Sequence, residues 1–393
     1  MSEIKVNSIK GVGASAAAIT VNNTDGTCTA NLSNRQNRNL IINGAMQVAQ
    51  RGTSSTSTGY QTVDRFSPYH GGTDEAPTYA QVDVASGTTP YSLGFRKAFK
   101  ITNGNQTSGA GGSDEMTVKT VLEAQDIASS GWNYTSASSF ITLSFWIKSS
   151  VAQNFYGFLL TSDGSTRSFA FETGSLSADT WTKITKTIPG NSNLTFNNDN
   201  GVGLEILIVA FMGTNLTGSA GTVDSWVSFT STQRTPDNTS TWYTTNDATL
   251  EITGVQLEVG SVATDFEHRS FAQELALCQR YFFSETGDNA DYPGCYTGGM
   301  ARSGHFFWMC HFPVAMRTNP TYTGVSGNGQ AYGDGDSSTF ANSAAIVQGT
   351  TTTPNPRGMG MRATSPGGSM SNGKGYMYRF SGDTNVLQFS AEL

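Results

Sequence analysis

Hydrophobic and polar residues alternate along this chain over stretches of strand length. In FITLSFWIK (140–148), Ile141, Leu143, Phe145 and Ile147 fall on one face and Thr142, Ser144, Trp146 and Lys148 on the other. A period of two is what a pleated strand imposes on its side chains. NFYGFLL (154–160) and SFAFE (168–172) flank Asp163-Gly164 and predict a hairpin. WTKITKTI (181–188), LEILIVAFM (204–212), SWVSFTS (225–231) and ATLEITGVQLEV (248–259) extend the series. Strands spaced this way predict a β-sandwich over residues 39–269.

The periodicity changes once. In SFAQELALCQRYFF (270–283), Phe271, Leu275, Cys278 and Phe282 recur at helical spacing, Ser270 suits an N-cap and Gln273 completes a capping box. A connecting helix is expected over 270–285, too short to stand without a partner surface. Upstream, AAITV and TCTANL surround Asp25-Gly26 as a hairpin, and residues 1–38 are too few to bury a core of their own. They read as an attachment segment. Downstream, HFFWMCHFPV (305–314), GYMYRFSG and NVLQFSAEL read as strands of a small β-domain over 286–393, and GNGQAYGDGDSS (327–338) reads as a long loop. The fold class expected is therefore all-β, with one connecting helix.

Composition narrows the function. Charged residues make up 13% of the chain and aromatics 11%, with 44 Gly. That is too aromatic for a disordered chain and too poor in charge for a coiled coil. A formal charge of −7 with no Lys/Arg run argues against nucleic acid as a partner. The most apolar run, LEILIVAFM, is half the length of a membrane helix, so no membrane insertion is expected. The start, MSEIKVNSIK, lacks the apolar core of a signal peptide. Cys28, Cys278, Cys295 and Cys310 show no close-pair spacing, so no metal and no cofactor is expected from them.

The string NLIINGAMQVAQRGTSSTSTGYQTVDRF (39–66) resembles the opening of a module found in phage tail-fibre and other virion structural proteins. The elements that carry the likeness are Asn43-Gly44, Gln50 to Ser54, Gly59-Tyr60 and Asp64-Arg65-Phe66. ITGVQLEVGSVATDFEHRSF (252–271) followed by ELALCQRYF (274–282) is similar to the module's close, and the terminal FSAEL (389–393) to the end of such fibres. SFWIKSS and WTKITKTIPG resemble strands of carbohydrate-binding jelly rolls. Ala49 and Phe66 depart from the pattern, where an aromatic and a Trp are frequent. The resemblance implies a virion component, a homotrimeric tail or capsid fibre assembled in the host cytoplasm and released by lysis. It implies docking on the particle through residues 1–38 and contact with host-surface glycans. The runner-up is a carbohydrate-binding module of a bacterial surface or exported protein, and a third reading is a glycan depolymerase.

No catalytic constellation is visible. His70, His268, His305 and His311 are scattered, and carboxylate pairs such as Asp114-Glu115 and Asp265…Glu267 read as solvated surface acids. Gly333-Asp334-Gly335-Asp336 offers oxygen ligands without EF-hand spacing. Aromatics are the better lead, because a ring can stack on the apolar face of a sugar while polar neighbours orient it. Trp146 lies on the hydroxyl-rich face of its strand and either stacks on a ligand or is covered by loops, and the sandwich reading favours the second. Trp132, Tyr134, Trp242 and Tyr243 sit in polar loops and are expected to be exposed. Tyr322, Tyr332, Tyr376 and Tyr378 form a similar set in 286–393, the region expected to face the receptor.

Overall fold

The computed structural model describes residues 8–10, 12, 19–21, 28–30, 37–218, 221–286, 296–302, 305–324, 328–333, 336–339, 346–348, 356–364, 375–381 and 386–393. Near the start, β1 (Ser8–Ile9), β2 (Ile19–Val21) and β3 (Cys28–Ala30) pair antiparallel, with Ile19 opposite Ala30. This is the pairing expected of the hairpin, whose turn at Asp25-Gly26 lies outside the described residues.

The alternating runs build the centre of the molecule. In chain order they are β4 (Ser54–Ser55), β5 (Ser67–Gly71), β6 (Thr78–Asp83), β7 (Lys97–Thr102), β8 (Glu115–Glu123), β9 (Phe140–Ser149) and β10 (Asn154–Thr161). They continue as β11 (Arg167–Ser175), β12 (Thr182–Pro189), β13 (Val202–Met212), β14 (Trp226–Ser228) and β15 (Thr249–Val259). Two six-stranded antiparallel sheets result, ordered β14-β11-β10-β13-β8-β5 and β12-β9-β15-β7-β6-β4. The fold is a β-sandwich of the jelly-roll kind, with short helices α1 (Thr89–Ser92) and α2 (Ala124–Ala128) in its connections.

Ile141, Leu143, Phe145 and Ile147 all point between the sheets and are fully buried, opposite Phe155, Leu159, Phe169, Phe171, Ile206 and Ile208. Each such side chain contributes about 1.5–3 kcal/mol by leaving water. The opposite face of β9 is also largely covered: Thr142 and Ser144 are buried under residues 260–268, and Thr142 Oγ1 donates to the Gly260 carbonyl at 2.8 Å. A second apolar cluster of Ala45, Val84, Phe95 and Ala98 sits on that face. SWVSFTS yields only the three-residue β14, because its pairing with β11 ends after Ser228 at the edge of the sheet.

Helix α3 (Phe271–Gln279) begins with the expected capping box, Ser270 Oγ accepting from the Gln273 N–H and the Gln273 side chain from the Ser270 N–H. Its buried face differs from the expected stripe. Phe271 is 56% exposed and Phe282 has left the helix; Cys278 faces inward as expected, but the second inward residue is Glu274. Polar contacts decide this: the Glu274 carboxylate accepts the Asn43 backbone N–H and lies 3.5 Å from Arg269.

Beyond α3 come β16 (Phe282–Thr286), β17 (Tyr296–Arg302), β18 (His305–His311), β19 (Thr321–Gly324) and β20 (Asn328–Gly333). The rest are β21 (Asp336–Thr339), β22 (Ile346–Gln348), β23 (Gly358–Thr364), β24 (Gly375–Ser381) and β25 (Val386–Ser390). They form a seven-stranded sheet, β21-β20-β24-β17-β18-β23-β22, and a three-stranded one, β16-β25-β19. The segment 327–338, expected as a long loop, instead contains the paired strands β20 and β21, with Tyr332 opposite Ser337. Pairing of β20 with β24 on its other side outweighs the low strand propensity of its glycines.

Gly44 explains how the start of the sandwich closes on its last strand. A Cβ there would sit 2.0 Å from the Val255 carbonyl oxygen, and the Gly44 carbonyl accepts the Val255 N–H at 2.9 Å. The contact falls where β15 bulges away from β9, at Gly254 with φ +64°. Gly44→Ala is expected to destabilise the protein by about 1–3 kcal/mol, as overpacking does. Urea unfolding measures this, and an unchanged midpoint would contradict the close approach.

Candidate functional site

The loop aromatics expected at the surface are mostly inside. Trp242 and Tyr243 are fully buried, and Trp132 is 3% exposed. Their loops are polar in sequence but are drawn down by side-chain clamps. Asn103 Nδ2 donates to the Tyr243 and Thr245 carbonyls at 2.6 and 3.1 Å, and Gln153 Oε1 accepts the Trp242 N–H at 2.9 Å. The Trp242 indole then donates to Thr249 O at 3.0 Å and packs edge-on to Phe155. Tyr243 stacks on Phe211 with centroids 4.3 Å apart. Trp132 donates to Ser139 O at 3.2 Å and meets Phe196, and half-buried Tyr134 packs edge-on to the same Phe196 at 5.0 Å. Rings of this size leave water whenever the backbone lets them. The expectation of exposure is thus corrected for Trp132, Trp242 and Tyr243.

In the downstream region, Tyr322 is half-buried against Phe389, with ring centroids 5.5 Å apart. Tyr332 lies on β20, and Tyr376 and Tyr378 lie on β24, so these three belong to paired strands rather than to loops. Their backbones are in register: Ala331 faces Tyr378, and Gly333 faces Tyr376.

Trp146 is different. It projects from β9 onto the outer face of the sheet, half-buried, packed beside Phe95 and Phe266. Trp181 reaches the same cluster from the start of β12. Sequence reasoning missed Trp181, although its alternation with Lys183, opposite in phase to Ile184 and Ile188, placed it on this face. The indole N–H groups of Trp132, Trp226 and Trp242 are each taken by a backbone carbonyl. Those of Trp146 and Trp181 have no protein acceptor among the described residues, and neither is among the buried unpaired groups. Both therefore open to solvent.

Polar groups surround the pair in register. Lys148 faces Glu251 and Glu251 faces Lys100 across β9, β15 and β7. Lys148 Nζ lies 3.0 Å from Glu251 Oε1 and 5.2 Å from the Trp181 ring centroid. Exposed Lys183 pairs with Trp146 across β12 and β9. Aromatic surface beside fixed charges and free N–H donors is the chemistry that binds saccharides.

The motif residues that carry the fibre resemblance converge elsewhere, on a buried ionic cluster. Arg65, 1% exposed and with φ +70°, donates to Glu392 Oε2 and, at 2.6 Å, to Val121 O. Its guanidinium lies 3.4 Å over the Tyr281 ring. Arg51 Nη2 reaches Glu392 Oε1 at 3.1 Å and stacks 3.4 Å over Phe282. Burial alone would depress the Arg65 pKa, but the Glu392 carboxylate outweighs it and the net shift is upward. Glu123 is held below its ordinary value: burial opposes this, but bidentate donation from Arg280 at 2.8 Å and the Tyr281 hydroxyl prevail. Burial pushes Asp64 up to about 6, only partly offset by hydrogen bonds from Gln50.

Of the acids expected at the solvated surface, Asp265 is exposed, but Asp114 is buried and Glu115 and Glu267 are partly covered, because each is drawn in by a protein partner. Asp114 Oδ2 accepts the Gly111 N–H at 2.6 Å, Glu115 meets Arg234 at 2.9 Å, and Glu267 accepts the Asn39 N–H at 2.8 Å. No group of three metal-ligating side chains occurs among the described residues. Gly333-Asp334-Gly335-Asp336 falls partly outside them.

No family model and no curated protein matches the chain. Solved structures align with it at low identity. The enzymatically active domain of bacteriophage CBA120 tailspike protein 4 is 10% identical over 57% of this chain and 22% of that one, with a TM-score of 0.30. A putative sugar binding protein from Bacteroides thetaiotaomicron VPI-5482 is 12% identical over 56% of this chain and 100% of that one, at 0.32. The family 11 carbohydrate-binding module from Clostridium thermocellum is 11% identical over 53% and 97%, at 0.25. The sandwich assignment rests on the sheets themselves.

Asp64 makes stability depend on pH. Its folded pKa of about 6 exceeds the ordinary 3.8, so its stabilising contribution is full below pH 3.8 and is lost as pH rises through 6. The wild-type advantage over Asp64→Asn should shrink by about 2–3 kcal/mol between pH 4 and 7. Paired urea titrations across that range test it, and a pH-independent difference would show that Asp64 does not titrate there.

Proposed function

We propose that this chain is a virion fibre protein whose β-sandwich contacts host-surface glycan through the outer face around Trp146 and Trp181. The observation that carries the glycan contact is the pair of half-buried indoles with free N–H groups, set among lysines on one sheet. The virion role is supported by the resemblance of residues 39–66, 252–282 and 389–393 to tail-fibre modules. On that reading, residues 1–38 dock on a tail or capsid protein, three copies assemble, and the particle leaves the host by lysis.

The receptor contact moves from the downstream region to the sandwich. The last residues fold back rather than project away: the Ala391 N–H donates to Tyr281 O at 2.7 Å, and Arg317 grips the Ala391 and Glu392 carbonyls at 2.7 and 2.9 Å. Residues 391 and 392 are thus laid against the sandwich through Arg65 and Arg51, and the aromatic face of the sandwich with open indoles is that of Trp146 and Trp181. A carbohydrate-binding module of a bacterial surface protein would use the same face, so the two readings separate on where the chain is found.

Trp146→Ala and Trp181→Ala should each weaken binding of the full chain to host-surface polysaccharide about tenfold, which corresponds to about 1.4 kcal/mol of lost stacking. Melting should change little for Trp181→Ala. Wild-type affinity in both variants would remove the glycan reading. Mass spectrometry of purified particles, with light scattering on the isolated chain, tests the rest. Absence from particles removes the virion role, and a monomer at micromolar concentration removes the trimer.

A further inference from the structure

Charge is spread unevenly over this molecule. The chain carries a formal −7, yet the strip around the two tryptophans is cationic. Across the sheet the row reads Lys148, Glu251 and Lys100 on β9, β15 and β7, with Trp181 at the Lys148 end. Lys183 stands beside Trp146 in the neighbouring row. Three ammonium groups thus meet one carboxylate. Glu251 is engaged by Lys148 at 3.0 Å, and neither Lys100 nor Lys183 has an ion-pair partner among the described residues. Lys97, also on β7, is paired with Asp83 at 2.6 Å. Asp179, exposed in the turn before Trp181, and Asp265, exposed beside Phe266, are acids that border the strip, and the Asp179 backbone N–H donates to Ser149 O.

We propose, resting on the glycan-contact reading above, that the ligand of this face is an acidic oligosaccharide. The four strands from β12 to β7 span about 14 Å at normal strand spacing, the reach of a short oligosaccharide. A sugar ring stacked on Trp181 or Trp146 brings its hydroxyls to the open indole N–H groups. Its acid group then meets Lys183 or Lys100, neither of which forms an ion pair among the described residues. Lys148 plays another part: held between Glu251 and the Trp181 face, it stiffens the platform through a cation–π contact. A neutral sugar would leave the charges of the two lysines unmatched, whereas each acid group of an acidic one neutralises the lysine it reaches. The excess cation content of the strip is the observation that selects between them.

The test is binding of the full chain to a panel of immobilised oligosaccharides bearing uronate, sialate or phosphate, beside their methyl-esterified, desialylated and dephosphorylated forms. Acidic members should bind more tightly than their neutralised partners and lose affinity as salt rises. The member preferred identifies which acid is the source of the charge. Lys183→Gln and Lys100→Gln should each weaken the preferred acidic ligand about two- to fivefold, the scale of exposed ion pairs, and leave its neutral form unaffected. Equal or tighter binding of the neutral forms overturns the inference and leaves the glycan contact standing. Binding to no member of the panel overturns both. Equally tight binding of a poly-dT oligonucleotide would show charge attraction without sugar recognition and would also contradict it.

Discussion

Arg65 is the group on which the architecture turns. A guanidinium with 1% exposure cannot stay charged inside a protein without a carboxylate and further acceptors. Here the carboxylate is Glu392, more than three hundred residues along the chain, and the second acceptor is the Val121 carbonyl on β8. Removing one member of such a pair and leaving the other buried costs about 3–5 kcal/mol. The last strand is therefore tied to the sandwich by an interaction that no local contact can replace. Arg51 shares the same carboxylate, and Tyr281 and Phe282 cover the two guanidiniums with their ring faces. Glu123, held ionised by Arg280 and the Tyr281 hydroxyl, completes the cluster from the end of β8.

The convergence explains why the fibre-like motifs lie so far apart in sequence. Asn43 ties Val48, Asp64 and Glu274 together, and Gln50 joins Asp64 to Phe282 O. Asn39 and Glu267 bind each other's segment, with Arg269 donating to the Ile41 carbonyl. The opening strand, the closing strand, the helix and the chain's last residues are one polar assembly. Most of its polar side-chain atoms are engaged within it, although Arg51 Nη1 and Arg65 Nε are buried without an acceptor, so its role is structural. The Trp146–Trp181 face has the opposite character, with donors and cations that the protein leaves open. The polar clamp and the open tryptophan face are thus separate parts of the same sandwich.

Much of the sandwich was legible because period-two alternation maps directly onto which face of a strand meets the core. β9, β10, β11, β13 and β15 lie where the alternation placed them, and the hairpin around Asp163-Gly164 forms as expected. The helix start was legible from its capping box, but its buried face was not. Apolar spacing pointed to Phe271, while the buried Glu274 depends on the Asn43 amide, a partner 231 residues away that no local pattern reveals. The candidate site was legible only in half. Trp146 was named from its strand face, but Trp181 needed the pairing of β12 with β9 to bring it alongside. Loop polarity misled for Trp132, Trp242 and Tyr243, because Asn103 and Gln153 fasten those loops onto the core. Tyr332 fell in a segment that read as a loop because glycine masks strand character, whereas Tyr376 and Tyr378 lie in GYMYRFSG, which read as a strand and is β24.

On the proposed reading, ligand meets the two open indoles and not the three whose N–H groups are hydrogen-bonded within the fold. The chain has six Trp, each with one indole N–H resonance. Three of those groups are hydrogen-bonded to backbone carbonyls inside the fold, and two open to solvent. Following all six by ¹⁵N-labelled NMR while an acidic oligosaccharide is titrated in reads the contact directly. The account predicts saturable shifts for Trp146 and Trp181, with Trp132, Trp226 and Trp242 unmoved. Saturable binding that shifts other indoles and leaves Trp146 and Trp181 in place would contradict it.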